Sequence, residues 1–321
     1  MSATNTRLAK RRTRDMIFFA CLVALPLLHF FIFYICVNFN SILLAFKSYD
    51  SESGYQWVGL QNFKNLFSDF KTLTLYKYAL KNSLLVFFVG TTVSTVLALF
   101  FSYYIYKKTT RMTKVFKVLL FMPSIIPAIA MATMFKQFAE NAVPALVGTI
   151  FHKEIQGLIQ NPSTTMGTII FYNVWIGFGV NLLLYLGAMN NISDSVSEAA
   201  QLDGATFFSE FFYITLPSVF GTTQTLLVVS IGGIFINQAS LVSFFGTGAE
   251  ESFFTVGYYL YKETVRISLG TSDAGLPQLA AFGLLLTFVT VPIVYLFNWL
   301  TKKFGPSTEY CYGKKYKSPQ A

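Results

Sequence analysis

The chain has 321 residues, 54% of them hydrophobic and 17% aromatic, with only 12% charged and a mean hydropathy of +0.52. Soluble domains carry about 25% charged residues, so composition excludes an ordinary soluble protein and points to a membrane. The net charge of +9 does not call for nucleic acid, because the basic residues flank apolar runs, where the preference for positive charge on the inner side accounts for them.

Residues 1–15 form a polar tail with Arg7, Lys10, Arg11, Arg12 and Arg14. The apolar run from Met16 to about Phe46 exceeds both the roughly 7–15 residues of a cleaved signal core and the ~20 that a bilayer requires. It reads as a first spanning helix, kinked at Pro26 and either tilted or broken near Asn38-Phe39-Asn40. A polar connector follows, in which the apolar spacing of Trp57–Phe67, WVGLQNFKNLF, fits a short amphipathic helix on the interface.

Five more apolar runs lie near 82–106, 115–138, 164–190, 216–245 and 277–300. Each is predicted helical, because a lone strand cannot satisfy its backbone in lipid. Pro123 and Pro127 interrupt the third run, and Pro292 the sixth. The expected organisation is a basic tail (1–15), a membrane domain (16–300) and a second basic tail (301–321). Fifteen of the 24 basic residues, including the clusters around Lys107–Lys117, Lys302–Lys303 and Lys314–Lys317, fall on the side of the N-terminus. That distribution places both termini, and the connector Ser193–Pro217, in the cytoplasm.

Six spans with scattered polar residues suggest passage of a solute. Ion-coupled carriers keep an ionisable group at membrane depth despite its cost, yet all fifteen acidic residues fall outside the expected spans. His29, the histidine inside one, reads as packing against a neighbouring helix. There is no GxxxxGK[ST] phosphate loop. Cys21, Cys36 and Cys311 have neither CxxC nor metal-ligand spacing. No cluster of His, Cys, Asp or Glu at membrane depth supports an embedded enzyme, a metal or a cofactor. Active transport would therefore draw its energy from a partner; the alternative is an ion-coupled secondary transporter of a polar solute.

The connector Ser193–Pro217 carries Asp194, Glu198, Asp203 and Glu210. Ser195-Val-Ser-Glu198 has the spacing of a capping box, which predicts a helix over Val196–Asp203. Gly204 then permits a turn, Thr206 caps a second helix and Pro217 breaks it. Glu198-Ala199-Ala200, Gly204 and Ile214-Thr-Leu-Pro217 closely resemble the EAA loop of permease subunits of binding-protein-dependent ABC importers. Asp203-Gly-Ala205 and ITLP resemble the carbohydrate-uptake branch that includes the maltose and glycerol-phosphate systems. Trp57–Phe67 and Phe244–Val265 resemble two further segments of that branch, although GTGAEE departs from its usual glycine-proline ending.

The resemblance implies an all-α membrane protein with six transmembrane helices of the type I ABC importer permease kind and a cytoplasmic coupling helix. It implies a multi-pass subunit of the bacterial plasma membrane that moves a sugar, such as an oligosaccharide, by alternating access and catalyses nothing itself. The implied partners are a second homologous permease, a cytoplasmic ATPase dimer, an extracellular or periplasmic sugar-binding protein and the lipid bilayer. Glu198 would meet the ATPase, Ala199 and Ala200 would allow close approach, Gly204 would set the turn, and Asp203 would belong with them to the ATPase-coupling residues.

A path for neutral sugars needs amides, hydroxyls and aromatic faces within the spans. The fourth run offers Asn173, Trp175, Asn181 and Tyr185, with Gly177 and Gly179 suggesting close packing. The fifth offers Gln224, Asn237 and Gln238 beside Gly232-Gly233. The same amides serve equally well as interhelical hydrogen bonds, and Trp175 as an interfacial anchor.

Overall fold

A computed structural model of the chain describes residues 2–50, 52–108, 110–270 and 275–306. Cys311, Lys314, Lys315 and Lys317 of the expected C-terminal tail lie outside the described residues. Helix α1 (Ser2–Phe30) passes through a π-helical stretch (Phe31–Cys36) into α2 (Val37–Leu44), so the helix already begins in the basic tail. The irregularity expected at Asn38–Asn40 falls earlier, downstream of Pro26. A wider π turn leaves carbonyls off the regular i−4 ladder, and Asn38 Nδ2 donates to one of them, Tyr34 O, at 2.6 Å. His29 does not pack on a neighbouring helix; it is exposed, with its ring 4.7 Å from Phe33 of the same helical run.

The polar connector contains a feature the sequence reading missed, an antiparallel hairpin of β1 (Lys47–Asp50) and β2 (Gly54–Trp57). Tyr49 and Tyr55 face each other across it at 5.0 Å, and Phe46 stacks on Trp57 at 5.8 Å. The expected amphipathic helix follows as α3 (Gln61–Thr72). Its inward face buries Leu66 and Asn62. The Asn62 amide donates to Ala45 O and Lys47 O at 2.9 and 2.7 Å, supplying a partner to the carbonyl just past the end of α2 and holding the start of β1.

Helix α4 (Thr74–Leu85), a π stretch (Val86–Gly90) and α5 (Thr91–Lys107) make one continuous run that starts at Thr74 rather than near 82. Helix α6 (Arg111–Ile125) opens with a reciprocal cap between Thr110 and Thr113. It is followed, after a bend of 102°, by α7 (Ala128–Gln137), which leads through a π stretch (Phe138–Ala142) into α8 (Val143–Phe151). Pro127 sits at the bend, as expected of a residue that removes a donor and clashes with the preceding turn. Helix α9 (Pro162–Met189) is continuous and carries buried residues on every side, the pattern of a central helix.

Then come α10 (Asp194–Leu202), α11 (Phe207–Glu210) with a π stretch (Phe211–Thr215), α12 (Leu216–Ser218) and α13 (Phe220–Gly232). The expected break at Pro217 falls at Val219 instead, where the chain bends by 64°. The helix expected to reach 245 stops at Gly232, giving way to turns before α14 (Leu241–Phe245). Helix α15 (Val256–Ser268) and the long α16 (Gly275–Phe304) close the described chain. Helix α16 runs unbroken through Pro292, where an interruption was expected; spanning helices tolerate proline when neighbouring groups take up the freed carbonyl.

Among the described residues, four helical runs are long and apolar enough to cross a membrane: Arg14–Leu44, Thr74–Lys107, Pro162–Met189 and Gly275–Phe304. The count reaches six if each bent pair, α6 with α7–α8 and α11–α12 with α13, crosses as one span. The Arg14–Leu44 run buries none of its apolar window, and Phe18 and Leu25 are 69% and 75% exposed. Only lipid or another apolar helix can cover such a surface.

The chain divides into two compact units. One comprises the chain through Lys71 with Glu263–Leu286, where Gln278 Nε2 donates to Asp69 Oδ2 at 2.8 Å and Phe70 meets Phe282 edge-on. The other comprises Thr72–Lys262 with the chain from Thr287 onward. Its core interleaves Ala98, Leu99 and Tyr103 of α5 with Phe178, Leu182, Tyr185 and Met189 of α9, and includes Phe211 and Val219. Ser102 Oγ donates to Leu182 O at 2.8 Å across the same seam. Gly179 of α9 lies flat against α6, where a Cβ would stand 2.5 Å from Leu120 O.

Candidate functional site

Two regions of the second unit carry polar chemistry on an apolar frame. The first is the hairpin of α10 and α11. Helix α10 starts at Asp194, whose carboxylate in the first turn suits the positive end of the helix dipole. That start corrects the expected capping box: Glu198 is the fifth helical residue, too far along to reach the cap. Ser193 occupies the cap without accepting from a backbone amide of the helix; its Oγ pairs instead with Ser195 Oγ at 2.7 Å.

The turn is built as the sequence predicts. Gly204 has φ +79°, its N–H donates to Gln201 O at 3.1 Å, and Ala205 N–H donates to Ala200 O at 2.9 Å. This is the Schellman arrangement, which requires the left-handed conformation at the residue beyond the cap. Thr206 then caps α11 by accepting from Ser209 N at 3.3 Å. The hairpin exposes Glu198, Ala199, Asp203 and Leu202, the last at 89%. Ala200 faces inward and is buried.

The second region is a cleft of about 470 Å3. Ser83, Thr91, Ser94 and Thr95 line it from the run 74–107, Asn173 and Asn181 from α9, and Ser230 and Asn237 from α13 and the turn beyond it. No lining residue is ionisable; the remainder are apolar or glycine, with one aromatic face from Phe87. The volume lies within the ~300–1,000 Å3 of ordinary small-molecule pockets. Hydroxyls and amides on an uncharged wall can hold a neutral polar solute by hydrogen bonds, and offer nothing to neutralise an anion.

Residues 94–310, two thirds of the chain, match a family model described as a binding-protein-dependent transport system inner membrane component. The chain belongs to this family. The permease is 33% identical over 180 residues to the probable ABC transporter permease protein YesP of Bacillus subtilis, covering 55% of this chain and 57% of that one. It is 25% identical over 273 residues to the arabinooligosaccharides transport system permease protein AraP of the same organism, covering 84% of each. A crystal structure of a bacterial ABC transporter involved in the import of the acidic polysaccharide alginate contains a chain of the same fold. There the TM-score is 0.73 at 22% identity, over 93% of this permease and 99% of that chain. The permease spans 57% of YesP and 58% of the galactooligosaccharides permease protein GanP, the first relatives matched.

The expected path residues separate into different roles. Asn173, Asn181 and Asn237 do meet at the cleft. The Asn173 amide is fully engaged: Nδ2 donates to Ile169 O at 2.8 Å and Ala239 O at 3.0 Å, and Oδ1 accepts from Ser240 Oγ at 2.8 Å. Asn181 Nδ2 donates to Ser94 Oγ at 3.1 Å, and Asn237 Oδ1 accepts from Ala239 N at 2.8 Å. Gln224 and Gln238 lie off the cleft wall; Gln224 Nε2 ties α13 to α16 through Asn298 Oδ1 at 2.7 Å. Tyr185 is wholly buried in the core. Trp175 lines a separate apolar hollow of about 520 Å3 with Phe101, Leu120 and Phe171.

Sequence reasoning missed the hydroxyls of the permease's second apolar run. Their signal was present: Ser83, Thr91, Ser94 and Thr95 recur at spacings of three, four and eight, one face of a helix in an otherwise apolar stretch. Two acids expected outside the spans, Glu140 and Glu210, lie inside the bent helical runs. Glu140 Oε1 accepts from Ile159 N at 2.9 Å and so fixes the segment before α9. Glu210 is paired with Lys107. The GTGAEE segment is shaped by Tyr258, whose hydroxyl donates to Gly246 O at 2.9 Å and accepts from Ala249 N at 3.1 Å. Burial pushes the pKa of that hydroxyl above the usual tyrosine range.

One consequence for the permease's hairpin is direct. Gly204→Val puts a branched side chain where φ is +79°, at a cost of about 1–2 kcal/mol. The amides of Gly204's neighbour Ala205 and of Leu202 should then exchange with solvent roughly tenfold faster, whereas Gly204→Asn should leave exchange nearly unchanged. Equal protection in Gly204→Val would refute the strained turn.

Proposed function

We propose that this chain is the membrane-spanning permease subunit of an ATP-driven importer for a neutral oligosaccharide. The observation that carries the reading is the uncharged cleft, lined by hydroxyls and amides from three helical runs. Its setting in a family of binding-protein-dependent transport components supports it, as do relatives named for arabinooligosaccharides and galactooligosaccharides. An acidic or phosphorylated sugar fits less well, because no lysine or arginine lines the cleft. The hydroxyls Ser83, Thr91, Ser94, Thr95 and Ser230 would bind the solute, with Asn181 and Asn237 beside them.

In this reading the chain hydrolyses nothing. It pairs with a second permease and with two copies of a cytoplasmic ATPase, and receives substrate from a sugar-binding protein outside. The domain 16–300 lies in the plasma membrane with both basic tails in the cytoplasm, where lysines and arginines favour them. Exposed Glu198, Ala199 and Asp203 on α10 would meet the ATPase, and Gly204 would hold the hairpin in shape. Ala200 would support that surface from beneath.

The experiment is uptake of labelled neutral and acidic oligosaccharides into vesicles holding the chain with its second permease, ATPase and binding protein. Uptake should need ATP, survive an ionophore, vanish when the ATPase's phosphate-loop lysine is replaced, and favour the neutral sugar. Uptake that an ionophore collapses would instead establish an ion-coupled carrier. In the same vesicles, a cysteine at Ala199 should crosslink to the ATPase, while one at buried Ala200 should not.

A further inference from the structure

A small buried polar cluster joins the α10–α11 hairpin to the end of α5. Lys107, the last residue of α5, forms an ion pair with Glu210 of α11, and both side chains are withdrawn from solvent, at 16% and 6% exposure. Lys107 Nζ also donates to Ser197 Oγ of α10 at 2.6 Å, and Ser197 Oγ donates to Glu210 Oε1 at 2.8 Å. The three side chains close a ring in which each touches the other two. Among the described residues, Ser197 makes the side-chain hydrogen bonds that tie α10 to another helix.

The neighbouring contacts reinforce the α11 side of this ring. Tyr103, one turn before Lys107, donates from its hydroxyl to Phe207 O at 3.0 Å, and its ring lies 4.6 Å from Phe207. Phe211 stacks on Phe100 at 4.9 Å and belongs to the α5–α9 core. Apolar contacts of this kind resist separation but permit sliding, whereas a closed ring of charged hydrogen bonds fixes direction as well as distance. Nothing in the solute cleft involves these residues. Positive charge at the membrane edge explains a lysine at 107, but not its burial against a buried glutamate.

We propose that Lys107, Ser197 and Glu210 are positioning residues for energy coupling: their ring is the joint through which displacement of α10 moves α5, and with α5 the hydroxyl face of the cleft. This rests on the reading that α10 receives its movement from a partner ATPase. Breaking the ring would leave the hairpin, the ATPase contact and the cleft intact, and would let α10 move without taking α5 along. ATP would be hydrolysed with less solute transported.

The test measures ATP hydrolysed per oligosaccharide imported by the complete transporter in vesicles. Lys107→Met and Glu210→Gln should each raise that ratio about tenfold, within the usual range of coupling energies, while ATP hydrolysis itself persists. The exchange Lys107→Glu with Glu210→Lys should bring the ratio back towards wild type. A merely structural pair would lower hydrolysis and transport together, and that outcome, or an exchange that restores nothing, overturns the proposal. Should the charge variants fail to assemble, Ser197→Ala, which is neutral and smaller, carries the test; an unchanged ratio there also overturns it. A wild-type complex that imports sugar without ATP would instead refute the ATPase-driven reading on which the joint depends.

Discussion

Gly179→Ala is expected to destabilise the helical assembly by about 2–3 kcal/mol, the cost of overpacking a close interface, whereas Gly177→Ala should be neutral or stabilising by up to about 1 kcal/mol. The two glycines sit one helical face apart on α9. A Cβ on Gly179 would stand 2.5 Å from Leu120 O and 3.1 Å from Phe121 Cα, both backbone atoms of α6 that no rotamer change can move. A Cβ on Gly177 meets nothing within 4 Å, so alanine there only removes the entropic cost of glycine in a helix. Thermal denaturation of the two variants in detergent compares them directly. A Gly179→Ala protein as stable as wild type would show that α6 and α9 do not approach through their backbones. Gly179→Leu, too large for any local shift, should abolish accumulation in the membrane.

Asn173→Ala should weaken the segment 237–240 by about 2 kcal/mol, because it removes the two hydrogen bonds to that segment, worth about 1 kcal/mol each, besides the bond to Ile169 O in its own helix. It should do so without the loss of solute affinity expected of a binding residue. The segment it holds is strained: Ala239 and Ser240 have φ of 49° and 59°, a conformation that costs a side-chain-bearing residue roughly 1–2 kcal/mol. Asn173 grips both, through Ala239 O and Ser240 Oγ. The same segment is anchored from the other side, where Thr255 Oγ1 donates to Asn237 O at 2.9 Å and Gly257 fits against Ile236 O with no room for a Cβ. Loss of the grip should let the end of α13 move, which a cysteine at the cleft residue Ser230 would report as faster labelling. Adding Ala239→Gly to Asn173→Ala should recover much of the stability by removing strain. A glycine that fails to do so would show that the left-handed backbone is not what Asn173 restrains.

The Asn173 case shows why residue type alone could not settle the path. An asparagine inside an apolar run has a partner, since an unpaired amide in lipid is costly, but the sequence does not say whether that partner is solute or backbone. The fold brings Ala239 and Ser240, more than sixty positions later in the chain, to the Asn173 side chain. Gln224 was decided in the same way, by Asn298 on α16. Trp175 and Tyr185 read as an aromatic wall for a sugar, yet helix rotation turns one into an apolar hollow and the other into the core.

By itself the sequence determined that the chain is a helical membrane protein, because its length of apolar residues leaves no other way to satisfy the backbone in lipid. It determined the EAA-type hairpin as well. Gly204 and Thr206 act on neighbours within four or five positions, and such local bonding is legible from spacing, whereas the start of α10 at Asp194 was not. Only the tertiary structure decided where helices bend, since a proline such as Pro292 is tolerated when neighbours compensate and Pro127 is not. It alone assembled the hydroxyl cleft from three separated runs, and it alone set Lys107 against Glu210. Those partners lie about a hundred residues apart in sequence, and it is helix packing, not local spacing, that closes such distances.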